Sequence, residues 1–195
     1  MLLLAYPTMK KLNWFLLCIL AIVIHSCSDE PETAQTSSPA RRDTTRVNVP
    51  MDRDDAQFAE RAAISNLTEI EMGQMAMKKG VDKRVKNFGM LVMKDQAKAD
   101  VKLQAIAKAK KITLPKTVDV AQRKTLDSLA NISGQAFDRA YLSAMMNDHI
   151  SNIKLMQTAS KDLMDADLRA YAAKVLLTDK RHLDAATGIK GWMKK

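Results

Sequence analysis

Two histidines, His149 and His182, draw attention in this 195-residue chain because each has a carboxylate within helical reach. Asp148 directly precedes His149, and Asp179 lies three residues before His182, a spacing that puts both side chains on one helical face. Upstream stand Glu69, Glu71 and the pair Asp95-Gln96. Imidazole nitrogens and carboxylate oxygens converging from several helices are ligands for a transition-metal ion. The pattern is incomplete: Glu-x-x-His occurs nowhere, Asp is a methylene shorter than Glu, and Gln96 offers only a weak neutral oxygen. A buried Asp–His pair also satisfies interior hydrogen bonding and fixes helix register with no ion present. The sequence favours that structural role, with metal binding as the alternative.

Other chemistry finds less support. Ten of the 13 methionines fall between Met72 and Met193. Clustered thioethers beside His149 would suit Cu(I), but in a chain with 5% aromatic residues gap-filling is the simpler role. Phosphate-binding and nucleophile-elbow motifs are missing. Paired carboxylates for glycoside hydrolysis would need a cleft that a closed bundle does not offer readily. Enzymatic activity is not expected. The net charge of +9 is scattered through alternating basic and acidic residues without a basic, aromatic-studded stripe, which argues against nucleic acid. A basic face at Lys102, Lys108, Lys110 and Lys111 is either solvated or a surface for an unknown protein partner.

The elements that must position these residues are helical. From Met51 onward Pro115 is the only proline, and apolar residues step by three and four. Val81, Val85, Phe88, Val92, Asp95, Ala99, Leu103 and Ile106 form one seam. Phe137, Tyr141, Ala144, Asp148, Leu155 and Ala159 form a second, and Leu168, Ala172, Val175, Asp179, His182, Ala186 and Ile189 a third. A first helix near 54–79 is apolar on two faces, one with Phe58, Ala62, Glu69, Met72 and Ala76, the other with Ile64, Leu67, Glu71 and Met75. Gly80 is expected to end it in a left-handed conformation. Pro115 and Ser133-Gly134 bracket a shorter helix near 118–131. A shift of 83 residues superposes Met72 on Leu155, Asp82 on Asp165, Phe88 on Tyr171 and Val92 on Val175. The expected fold is all-α: a ferritin-like four-helix bundle made of two related hairpins, about 54–111 and 135–192, joined by a crossover carrying the short helix.

The first fifty residues read as an address. Lys10-Lys11 and the apolar run Leu12 to Ile24 resemble a secretory signal over 1–26, with Met9 the better start. The run is shorter than the ~20 residues that span a bilayer. Ile24-His25-Ser26-Cys27 resembles a bacterial lipobox, making Cys27 the lipid attachment point and leaving no thiol in the mature chain. Residues 27–50 then form a flexible tether carrying three prolines, and Asp29-Glu30 resembles a surface-export signal. The expected location is the cell envelope, anchored to the outer membrane and facing the periplasm or the cell surface. The bundle domain occupies 51–195.

Four segments carry a resemblance to a known family: FAERAAISNLTEIEMGQMA (58–76), RVKNFGMLVMKDQAKADVKLQAIAKAKKITLP (84–115), GQAFDRAYLSAMMNDHISNIKLM (134–156) and DLRAYAAKVLLTDKRHL (167–183). They resemble the domain of unknown function 4142, exported ferritin-like bacterial proteins. The resemblance implies the fold but no activity. It also implies an Asp-His pair where this chain has Asp95-Gln96, and an apolar residue in place of Asp179. The candidate metal ligands therefore reduce to Glu69, Glu71, Asp95, Asp148, His149 and His182. No cofactor is established by these residues; a transition-metal ion is the one they would take. The sequence supports first a non-catalytic, lipid-anchored envelope protein, a binding or stress-related structural module, and second a metal-binding protein with a degenerate ferritin-like site.

Overall fold

A computed structural model describes residues 52–193 of the chain. The signal segment 1–26 with Met9, the lipidation site Cys27 and the tether to residue 50 lie outside the described residues. Those described are all-helical with no strand: α1 Arg53–Lys79, α2 Lys83–Lys110, α3 Val120–Ala130, α4 Gly134–Asp162 and α5 Ala166–Trp192. Four of the five begin on an aspartate whose carboxylate accepts a backbone N–H of the first turn, at Asp52, Asp82, Asp119 and Asp165. Gly134, at φ 63°, turns the chain into α4.

The long helices pack as two hairpins, α1 with α2 and α4 with α5, and these meet through α2 against α5 and α1 against α4. α3 lies across α1 and α4. That crossover explains the second apolar face of α1, since Leu67 and Met75 pack in the cluster holding Leu126 and Leu129 of α3. Helices α2 and α5 run antiparallel: Lys110 pairs with Asp165 and Asp167 near one end, and Asp95 meets His182 farther along.

The 83-residue repeat has a physical counterpart in how the hairpins clasp each other. Asp55 at the start of α1 accepts the N–H groups of Met164 and Asp165, at 3.1 and 3.0 Å, in the turn of the second hairpin. Its equivalent, Asp138, accepts those of Val81 (3.1 Å) and Asp82 (2.8 Å) in the turn of the first. Each hairpin thus caps the other's turn. The aromatic pairs repeat the exchange, with Phe58 edge-on to Tyr171 at 6.2 Å and Phe88 edge-on to Tyr141 at 6.1 Å.

Asp138 also accounts for Gly80, which is not left-handed but extended at φ −56°, ψ 142°. A Cβ there would stand 2.7 Å from the Ala76 carbonyl oxygen and 3.3 Å from Asp138 Oδ1, so the position needs a small residue rather than positive φ. Two seams are also rotated from the sequence pattern. Gln96 rather than Asp95 is buried on α2, and on α4 the interior residues are Met145, His149, Asn152 and Met156 rather than Ala144, Asp148 and Leu155. Taking a step of three where the helix takes four turns the assigned face by about 100°.

The core is split by height. One apolar cluster gathers Phe58, Leu103, Ile106, Met156, Leu168 and Tyr171, and the other Met72, Val85, Phe88, Phe137, Tyr141 and Met145. Along each long helix the residues between these clusters are polar and buried: Asn66 and Glu69 on α1, Gln96 on α2, His149 and Asn152 on α4, Asp179 and His182 on α5. All four helices contribute to this middle layer.

Candidate metal centre

One potential ligand atom from each of Glu69, His149, Asp179 and His182 lies within 4.8 Å of all the others, and all four side chains are sealed from solvent. Three come from α4 and α5, and Glu69 reaches in from α1. The amides of Gln96 and Asn152 brace the carboxylates. Gln96 Nε2 donates to Glu69 Oε2 at 2.7 Å and to Asp179 Oδ1 at 3.2 Å, while Asn152 Nδ2 donates to Asp179 Oδ2 at 2.7 Å.

The histidines are left far less satisfied. His149 has neither ring nitrogen hydrogen-bonded; its Nδ1 sits 3.6 Å from Glu69 Oε2. His182 engages Asp95 Oδ2 through Nε2 at 3.3 Å, and its buried Nδ1 has no partner. Gln96 Oε1, Asn152 Oδ1, Asp148 Oδ2 and the Tyr141 hydroxyl are likewise buried without a hydrogen bond. Buried polar atoms are nearly always paired, so this concentration in one layer calls for a further group at its centre.

Electrostatics gives the same indication. Burial, reinforced by the charges of Asp148 and Asp179, holds the Glu69 carboxyl well above the usual carboxylate range. Burial pushes Asp179 up to about 7, against the opposing Gln96 hydrogen bond, and Asp148 up to about 6, against a hydrogen bond from Glu69. Burial, aided by His182, holds His149 down to about 3, and burial also lowers His182 against the pull of Asp95. Near neutral pH the layer therefore holds neutral imidazoles with available lone pairs beside carboxyls reluctant to ionise. A divalent cation would reverse that reluctance by replacing the protons.

The match to the family model described as Domain of unknown function (DUF4142) covers residues 39–189. The chain belongs to the DUF4142 family. A search of curated proteins found no match. Among solved structures, this DUF4142 chain is similar to the DUF305 fragment from Deinococcus radiodurans, with TM-score 0.66 and 10% identity over 73% of this chain and 99% of that one. It is also similar to CopM in the Cu(I)-bound form, with TM-score 0.60 and 15% identity over 71% of this chain and 96% of that one. CopM in the Cu(II)-bound form gives TM-score 0.61 and 15% identity over 70% and 95%. At these identities the likeness concerns the helical fold.

Of the six ligand candidates read from the DUF4142 sequence, the structure brings together Glu69, His149 and His182. Asp148 lies at the flank against Glu69. Asp95 stands behind His182, where it orients the ring as outer-shell carboxylates do for metal-bound histidines. Glu71 is not part of the group: it faces α3 and is ion-paired with Arg123 at 2.9 Å. Asp179, which the family resemblance sets aside, sits at the centre, and Asn152, absent from the sequence candidates, donates to it. The repeat held the missing signal, because the 83-residue shift places Asp179 on Gln96 and Asn152 on Glu69.

Proposed function

We propose that this DUF4142 protein binds a single transition-metal ion in the middle layer of its bundle, through Glu69, His149, Asp179 and His182, as a non-catalytic metal-handling protein of the cell envelope. The observation that carries the reading is the set of three buried imidazole nitrogens without hydrogen-bond partners, on two rings that each bring a ligand atom within 4.8 Å of carboxylate oxygens of Glu69 and Asp179. In a tetrahedral site with bonds of about 2.0–2.1 Å, ligand atoms lie about 3.4 Å apart, so an ion would draw the four atoms inward by small rotamer adjustments. Two imidazoles with two carboxylates suit Cu(II), Zn(II), Fe(II) or Mn(II) more than Cu(I), which favours sulfur. The likeness in fold to CopM, whose structures hold Cu(I) and Cu(II), adds weight to copper.

The internal symmetry argues for one ion. Under the repeat, a second site mirroring the first would draw on Asn66, Gln96, Ala99 and Asn152, which supply neither carboxylate nor imidazole. In this reading the topology is a ferritin-like four-helix bundle in which one half of a paired site carries three amides and an alanine in place of ligands. Elemental analysis of protein purified without chelator, together with metal-dependent shifts in melting temperature, tests it. Wild type should gain stability from added metal, while His149→Ala and His182→Ala should gain none. Unchanged metal response in both variants would refute the site.

We further propose that the domain is exported and held at the outer membrane by acylated Cys27, with residues up to 50 as its tether. The lipobox-like Ile24-His25-Ser26-Cys27 supports this. Cys27→Ala should abolish lipid labelling and release the protein from membranes. Retention without lipid label would contradict the anchor.

A further inference from the structure

Between α2 and α5 the surface opens into a cleft of about 450 Å³, within the size range of small-molecule sites. Ala99, Tyr171 and Val175 give it an apolar lining, and Gln96 and Asp95 connect it to the middle layer. Its rim carries four cations, Lys98, Lys102, Lys174 and Arg181, against the carboxylates of Asp95 and Asp167. Asp167 is paired from outside the cleft, 3.0 Å from Lys110, whereas Asp95 lies 3.6 Å from Lys98 and 3.3 Å from His182, so the Lys98/Arg181 end carries two cations against one carboxylate. Lys102 and Lys174 are exposed and have no ionic or hydrogen-bond partner among the described residues.

The cations are arranged in register. Lys98 and Lys102 are one turn apart on α2, about 6 Å along the axis, and Lys174 and Arg181 are two turns apart on α5, about 10 Å. Because these helices run antiparallel, Lys98 falls toward the Arg181 end and Lys102 toward the Lys174 end. A solvated basic face is convex and has no apolar lining, whereas here two cationic ends flank an apolar trough.

We propose that this cleft binds a small organic dianion with an apolar body, its acid groups engaging the Lys98/Arg181 and Lys102/Lys174 ends. Such a ligand would lie against Asp95 and Gln96, the residues that orient His182 and brace Glu69 and Asp179. The binding itself requires no metal, so it is measured on chelator-treated protein and stands or falls apart from the metal site.

The probe is adipate, a flexible aliphatic dicarboxylate, titrated calorimetrically and by backbone amide NMR, with hexanediol and inorganic phosphate as comparisons. Saturable adipate binding is expected, with shifts at Ala99, Tyr171 and Val175. The double variant Lys102→Glu/Lys174→Glu should weaken it roughly tenfold or more. Both positions are exposed, and an unchanged circular dichroism spectrum would establish that the variant folds. Non-saturable adipate binding, equal affinity in the variant, or phosphate and hexanediol binding as tightly as adipate would overturn the proposal.

Discussion

Gln96 and Asp179, equivalent positions in the two halves of the repeat, meet in the core, the Gln96 amide donating to Asp179 Oδ1 at 3.2 Å. The same amide donates to Glu69 at 2.7 Å, so one neutral side chain braces two carboxyls that would otherwise face each other unscreened. At the place where an exact repeat would oppose like residues, the chain has an amide on one side and an acid on the other.

Removing that brace should be costly in metal-free protein. Gln96→Leu leaves two buried carboxyls short of a donor, and unfolding in denaturant should show a loss of about 2–4 kcal/mol. Gln96→Glu adds a third acid and should destabilise the metal-free form while narrowing its deficit when metal is supplied.

The buried acids and histidines give stability a defined dependence on pH. Asp179 is raised from 3.8 to about 7, so its contribution is complete below pH 3.8 and is lost as pH rises through 7. Asp148, raised to about 6, acts in the same sense over a lower window. His149, lowered from 6.5 to about 3, acts oppositely: its contribution is present above pH 6.5 and lost as pH falls through 3. From about pH 6.5 to 7.5 the last of the His149 and His182 contributions is still being gained, while those of Asp179 and of Glu69, whose carboxyl is held well above its usual range, are being lost. Metal-free wild type should therefore lose stability across that interval, with Asp179 accounting for about 0.7 kcal/mol, half the full slope because the group is half titrated near pH 7. Asp179→Asn should flatten the slope in a series of denaturant melts.

The reciprocal caps at the hairpin turns should behave as two independent locks. Asp138→Ala frees the N–H groups of Val81 and Asp82, and Asp55→Ala those of Met164 and Asp165. Each substitution should cost about 2–3 kcal/mol. The caps serve separate turns and share no partner, so the double variant should lose nearly the sum.

The first hairpin depends on two glycines within its helices. A Cβ at Gly73 would lie 2.6 Å from the Gly89 carbonyl oxygen, and one at Gly89 would lie 2.6 Å from Ala76 Cβ. Gly73→Ala should force α1 and α2 apart and lower stability by about 1–3 kcal/mol in thermal or denaturant unfolding, although alanine is the better helix former.

The sequence made the helices, the short crossover helix and the α5 seam from Leu168 to Ala186 readable, because an apolar period with few prolines leaves little freedom. It was less informative where acid and amide stand side by side. The seam pattern points Asp95 inward rather than Gln96 and Asp148 rather than His149, because steps of three and four leave adjacent polar residues indistinguishable, whereas burial favours the neutral amide and imidazole. Glu71 resembled Glu69 in type and is two positions away, yet that offset turns it about 160° away from Glu69, toward α3 and Arg123. Resemblance to relatives argues against Asp179, yet its spacing of three from His182 puts both on one face, and both lie in the buried cluster.

The central claim is a single ion held by Glu69, His149, Asp179 and His182, and native mass spectrometry of chelated protein reloaded with Cu(II) or Zn(II) tests it most directly. The account predicts one ion per chain in wild type and none in Glu69→Gln/His149→Ala that remains folded by circular dichroism. Wild type that takes up no ion, or two, or a folded variant that still holds one, would contradict it.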